Sequence, residues 1–410
     1  MENPPVRAPH GAQRLAPRAP LRIAASLVAA CLIAASLVAG CTGSNSSPPR
    51  PAARDTVLAI APPAEPLASE DACAGVTRFS FIVYGDTRGR RDGIDEQYEH
   101  SFVVESMLDT IASLRGGPDP VRFVLQSGDA VVDGGDAAQW NVSFVGLVNR
   151  ITTEGGVPYF LVPGNHDVTS SENLGSTARR DGLRNYLAAM DRLIPPDGAS
   201  RRLTGYPTYA FGYGNTFVLA IDSNIAGDAT QFAWARAQLD GLDRQRYAHV
   251  VAFFHHPPFS SGPHGGPKVE RPTAQLRAQW MPLFRAHGVD LLFTGHEHLY
   301  EHWVERWRDA SGGQHRMDQI VTGGGGAPPY LYTSEPDLRA YLADGARASV
   351  RLEHLVRPGR TAESLAYHYV VVHVDGARVW EEVISVGPGQ AFKPYPNMRT
   401  VLGDTVPPRQ

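Results

Sequence analysis

Phe79-Ser80-Phe81-Ile82-Val83-Tyr84-Gly85-Asp86 is an almost continuous apolar run that stops at a glycine and delivers a carboxylate. It reads as a buried strand. The same grammar recurs twice. Val121-Arg122-Phe123-Val124-Leu125-Gln126 ends at Gly128-Asp129, and Val157-Pro158-Tyr159-Phe160-Leu161-Val162 ends at Gly164-Asn165-His166-Asp167. Helical patterns over 96–114 and 137–150 separate the three, the first with Phe102, Val103, Leu108, Ile111 and Leu114 on its apolar positions. A β-α-β-α-β order predicts an α/β core with parallel strands. Ligand-type residues just past the strand ends belong in the crevice where such loops converge.

Two later stretches continue the series. Val250–Phe254 leads to His255-His256-Pro257-Pro258, and Val289–Phe293 leads to Gly295-His296-Glu297-His298. Between the third and fourth lie a polar insertion (168–205) with a helix over 181–194, a hairpin turning at Gly212-Tyr213-Gly214-Asn215, and a helix over 229–242. A helix over 273–287 precedes the fifth stretch. Strands over 319–322, 366–374 and 379–386 close the domain, and 387–410 read as a loose tail. Together the five stretches supply carboxylate and amide oxygens and imidazoles. A carboxylate can bridge two cations, and neutral imidazoles complete their shells. Two adjacent cations would clamp a phosphate and activate a water.

The five stretches, in this order over 78–386, resemble the calcineurin-like metallophosphoesterases, the superfamily that includes purple acid phosphatases and cyclic-nucleotide phosphodiesterases. The resemblance implies two packed mixed β-sheets flanked by helices in four layers. It implies two divalent or trivalent metal ions (Mn, Fe or Zn) and hydrolysis of a small-molecule phosphate mono- or diester by direct attack of a metal-bound hydroxide. By the same resemblance Asp86 and His298 bind the first metal, Asp129 bridges both, and Asn165, His255 and His296 bind the second. His166 would protonate the leaving oxygen, oriented by Asp167. His256, beside a ligand position, would support a ligand by hydrogen bonding.

There is one departure. Many relatives have Asp-X-His in the first stretch, where this chain has Arg88, a cation with no lone pair. Purple acid phosphatases instead place a Tyr three residues after the bridging Asp, where this chain has Val132. Arg88 is expected either to bind a substrate phosphate or to form a rim salt bridge. His264, nine residues after His255, is a candidate substrate contact or a solvated loop histidine. Gly323-Gly324-Gly325-Gly326 lacks a following Gly-Lys-Ser/Thr and reads as a backbone turn beside the site. Tyr300, Trp303 and Trp307 are expected to pack. The alternative function is a non-catalytic surface lipoprotein that uses a degenerate scaffold as a binding module.

The N-terminus is a separate object. Arg14, Arg18 and Arg22 precede an apolar stretch over 23–39, then Leu37-Val38-Ala39-Gly40-Cys41. This is the order of a secretory signal, and its end resembles the bacterial lipobox, with Cys41 the lipidated residue. Residues 1–40 are therefore expected to be a signal peptide and 41–77, rich in Pro, Ala and Ser, a tether. The expectation is export to the cell envelope with a lipid anchor in the membrane. Of the chain's net charge of −4, the first 40 residues carry +3, leaving −7 for the remainder. That balance gives no footprint for nucleic acid. Only Cys41 and Cys73 remain after cleavage, so no disulfide framework is expected. The sequence selects neither a substrate nor an oligomeric state.

Overall fold

The computed structural model describes residues 56–170, 173–387 and 390–402. Cys41, the signal-like residues 1–40, residues 42–55 of the expected tether and the final residues 403–410 lie outside the described residues.

The first half follows the predicted order: β1 (Arg78–Tyr84), α1 (Tyr98–Leu114), β2 (Val121–Gln126), α2 (Val145–Thr153), β3 (Tyr159–Leu161) and α3 (Thr177–Met190). The hairpin β4 (Tyr209–Tyr213) and β5 (Thr216–Ala220) turns through Gly214 at φ +57°. Then come α4 (Ala229–Asp240), β6 (His249–Phe253), α5 (Arg271–Gln275), α6 (Met281–His287) and β7 (Leu291–Thr294). The chain closes with β8 (Tyr300–Arg308), β9 (Gln314–Thr322), α7 (Arg339–Asp344), β10 (Arg351–Val356), β11 (Tyr367–Asp375), β12 (Arg378–Gly387) and β13 (Gln390–Leu402).

These strands form two mixed sheets, in the orders β13-β12-β11-β1-β2-β3 and β10-β8-β9-β7-β6-β5-β4. β1, β2 and β3 run parallel, and β11 joins β1 antiparallel. In the second sheet β5, β6, β7 and β9 are parallel, with β4 and β8 antiparallel beside them. Alternation along the strands shows why the sheets stack. Val218, Ala220, Val251 and Phe253 face the core shared with Phe79, Phe81 and Phe123, whereas Phe217, Leu219, Val250 and Ala252 face Leu239, Trp280 and Phe284 of the helices. Period-two side chains thus give each sheet two apolar faces. Aromatic pairs fasten one sheet to the other: Phe81 meets Phe293 edge-on at 6.1 Å, and Phe160 stacks on Phe211 at 4.1 Å. The result is the expected arrangement of two mixed sheets flanked by helices.

Two boundaries differ from the expectation. Residues 56–77 are not a free tether. Ile60 is fully buried and its N–H donates to the Ala189 carbonyl at 2.9 Å, while Glu70 pairs with Arg201 at 2.9 Å and accepts the Tyr247 hydroxyl at 2.7 Å. Cys73 is a buried free thiol whose sulfur accepts the Gly214 N–H. A scattering of apolar residues among prolines was enough to dock this strap. Likewise 390–402 is not a loose tail, because it adds β13 to β12 as an edge strand, Pro394 opposite Ile384. An edge strand tolerates proline because half its N–H groups face away from the ladder. Trp303 and Trp307 are buried, as expected.

Candidate metal centre

The parallel strands β1, β2 and β3 of one sheet and β6 and β7 of the other point the same kind of loop at one crevice. Asp86, Asp129, Asn165, His255 and His296 each follow the end of one of these strands. The loops are tightly interleaved. Gly128 sits at φ +102°, and a Cβ there would lie 2.6 Å from the Gly164 nitrogen. A Cβ on Gly164 would meet Asp129 Oδ1 at 2.1 Å. Both positions therefore require glycine. Among the described residues four non-glycines have positive φ, and three of them are Asp86, Asp129 and His296. Strain of this kind gathers where a structure over-determines a functional geometry.

Three ligand-type atoms converge. Asn165 Oδ1 lies 2.9 Å from His255 Nε2 and 3.0 Å from His296 Nδ1, and the two histidine nitrogens are 3.1 Å apart. Bonds of about 2.1 Å at right angles set ligand atoms about 3 Å apart. The remaining nitrogen of each ring is engaged. His255 Nδ1 donates to the Ser127 carbonyl at 2.9 Å, and His296 Nε2 donates to Glu270 Oε2, also at 2.9 Å. Each ring therefore turns a lone pair toward Asn165, the tautomer a cation needs. Asp129 Oδ1 stands 3.4 Å from His255 Nε2 and offers a fourth oxygen. Burial pushes the His255 imidazole down to about 3, so it is neutral near pH 7. This donor set fits a divalent cation.

Beside it lie the residues expected to hold a first cation. His298 Nδ1 donates to the Pro328 carbonyl at 2.9 Å, which leaves Nε2 as its acceptor, 3.5 Å from Asp86 Oδ1. Asp86 is fully buried, and both its oxygens accept the His296 N–H, at 3.1 and 2.9 Å. Here the fit differs. The Arg88 guanidinium stands among these groups, its Nε 3.2 Å from Asp129 Oδ2 and its Nη2 3.4 Å from His298 Nε2. Burial and the nearby Asp129 carboxylate push Asp86 up. Burial also opposes ionisation of Asp129, but His255, His166 and Arg88 outweigh it and hold that carboxyl low. Of those three, Arg88 is the fixed cation and carries the effect at neutral pH.

His166 and Asp167 part ways. The His166 N–H donates to Asp129 Oδ1 at 3.0 Å and its Nδ1 donates to the Val132 carbonyl at 2.8 Å. Asp167 does not orient that ring. Its oxygens instead accept the Val131 N–H at 3.1 Å and the Gly164 N–H at 2.9 Å, so it ties the second loop to the third. Burial and Asp129 push its carboxyl up to about 8. The preference of an Asx side chain for nearby backbone N–H groups decided its partner.

His264 is brought to the site. Its N–H donates to Glu297 Oε1 at 2.7 Å, and its ring centroid lies 4.6 Å from that of His296. The hydrogen bond to Glu297 raises its pKa. His256 is buried, 2.9 Å from Ser223 Oγ through Nδ1, and its ring packs 4.5 Å from His296. The glycine segment is a turn against the first loop: the Gly325 N–H donates to the Gly85 carbonyl at 2.7 Å. Two site residues had no sequence signal. Glu270 reaches His296 from the start of α5, and Tyr330 stacks on His298 at 4.1 Å.

Comparison with known proteins agrees with this geometry. The family model described as calcineurin-like phosphoesterase matches residues 79–300, more than half of the chain. Serine/threonine-protein phosphatase CPPED1 of Rattus norvegicus is 23% identical over 255 residues, 60% of this chain and 71% of that protein. Purple acid phosphatase 15 of Arabidopsis thaliana is 25% identical over 218 residues, 51% of this chain and 33% of that protein. The chain thus spans a third or less of the plant purple acid phosphatases numbered 15 and 18 that it matches. The solved structure of purple acid phosphatase PPD1 from yellow lupin (Lupinus luteus) seeds superposes with a TM-score of 0.54 at 17% identity, over 78% of this chain and 54% of that one. At that identity the likeness speaks for the fold alone. With a family model spanning the strands and loops that build the site, the chain belongs to the calcineurin-like phosphoesterase family.

Proposed function

We propose that this protein is a metal-dependent phosphoester hydrolase that acts on a small-molecule phosphate mono- or diester. The observation that carries the reading is the triangle of Asn165 Oδ1, His255 Nε2 and His296 Nδ1, 2.9–3.1 Å on a side. Those residues, with Asp129, would hold the ion. When bound, a cation there supplies charge to a phosphoryl oxygen and lowers the pKa of a water. The chain's own residues do the rest. His255 and His296 are pre-set in the lone-pair tautomer by Ser127 and Glu270. His166, with Nδ1–H on the Val132 carbonyl, acts as general acid in its imidazolium form and gives its Nε2 proton to the leaving oxygen. Arg88 and His264 face the same crevice and would bind phosphate oxygens.

The test is hydrolysis of chromogenic phosphate mono- and diesters with added Mn²⁺. Wild type is compared with Asn165→Ala and His166→Ala. Loss of activity in both variants supports the reading. Equal rates in all three favour the binding-module alternative. We also propose that the protein is exported with Cys41 lipidated, a reading supported by the basic, apolar and small-residue order of residues 14–41. Intact mass of the membrane-extracted protein, with and without Cys41→Ser, decides it.

A further inference from the structure

We propose that Arg88 replaces one of the two cations expected from the sequence, so that the centre holds a single metal ion at Asn165, His255 and His296 with a guanidinium fixed beside it. The inference rests on the metal-dependent reading above and narrows it.

Three ligand groups remain for a first ion: Asp86, the outer oxygen of Asp129, and His298. Arg88 already uses two of them. Its Nε donates to Asp129 Oδ2 at 3.2 Å, and its Nη2 donates into the Nε2 lone pair of His298 at 3.4 Å. That lone pair is the only one His298 has to give, since Nδ1 is committed to Pro328 and Tyr330 stacks on the ring. The base of Arg88 is tied as well, because its backbone N–H donates to the Asp129 carbonyl at 3.1 Å. A side chain that is 19% exposed and held at both ends does not sweep through solvent.

Charge gives the same result. Asp86 and Asp129 are both buried and bring carboxylate oxygens within 4.8 Å of one another, an arrangement that a nearby cation stabilises. A guanidinium supplies it permanently. A metal ion entering the same space would have to displace Arg88 from both partners and sit against its charge. Arg88 also does what a second cation would do for a substrate. It has five N–H donors, two of which the Asp129 and His298 contacts use. The others can meet a phosphoryl oxygen in the forked geometry that suits it.

The test is equilibrium dialysis of the chelator-stripped full chain against excess Mn²⁺, with metal counted by mass spectrometry and its environment read by electron paramagnetic resonance. The expected result is one ion per wild-type chain, with the hyperfine pattern of an isolated Mn²⁺. Arg88→His and Arg88→Ala should rise toward two ions with exchange coupling between them. Two coupled ions in wild type would overturn the proposal and leave the hydrolase reading standing. One ion in wild type that stays at one in both variants would also overturn it, because Arg88 would then not be what closes the first site. No ion in wild type would remove the metal-dependent reading itself.

Discussion

Glu270 Oε2 lies 2.9 Å from His296 Nε2, the ring nitrogen opposite the one that meets Asn165. The carboxylate fixes which nitrogen carries the proton and adds basicity to the other. Glu270→Gln should therefore keep the fold and lower Mn²⁺ affinity by roughly 10- to 100-fold. Isothermal titration gives the affinity, and thermal unfolding in chelator should stay within about 1 kcal/mol of wild type because Glu270 is partly exposed. Unchanged affinity would mean that the pair is incidental.

Asp167 and His166 are neighbours with separate tasks, and substitution should separate them. Asp167→Ala leaves the buried N–H groups of Gly164 and Val131 without their acceptor. The expected cost is about 2–4 kcal/mol of stability in the metal-free protein. His166→Ala, at the crevice surface, should leave stability within about 1 kcal/mol and lower kcat by about 10²- to 10⁴-fold. Denaturant unfolding and steady-state kinetics read the two effects. The reverse pattern would restore Asp167 as the group that acts through His166.

His100 sets an acid limit on the fold. It is fully buried between the Tyr84 hydroxyl (3.0 Å) and Gln97 Oε1 (2.9 Å), and burial pushes its pKa from 6.5 down to about 3. The unfolded chain thus binds a proton there that the folded chain refuses. Stability contributed by the neutral ring is present above about pH 6.5 and is lost as pH falls toward about 3. Other buried histidines, His368 among them, act in the same direction. Against that shared background, His100→Gln should flatten the curve of unfolding free energy by up to about 1.4 kcal/mol per pH unit below pH ~6. Parallel curves for the two proteins would show that His100 does not titrate on unfolding.

What could be read from the chain was whatever is written locally. Phe79–Tyr84 announces a strand buried on both faces, and a glycine followed by a ligand-type residue marks where it ends. Repetition of that pattern brought Asp86, Asp129, Asn165, His255 and His296 to one crevice. The rest depends on long-range contacts that leave no local trace. Glu270 is 26 residues from the histidine it serves, and Tyr330 meets His298 through a loop with no periodicity. Ile60 sits among prolines, so composition masked an anchor. β13 was hidden for a similar reason, since Pro394 and Pro396 argue against a central strand but not against an edge. Arg88 was visible as a departure from the expected ligand, but its geometry required the fold.

The proposed hydrolase activity depends on a cation held by Asn165, His255 and His296. An anomalous difference map from a crystal grown with Mn²⁺, collected at the manganese edge, tests it most directly. A peak is expected within bonding distance of Asn165 Oδ1, His255 Nε2 and His296 Nδ1. A map with no peak among these three atoms at saturating Mn²⁺, with or without manganese elsewhere, would contradict it.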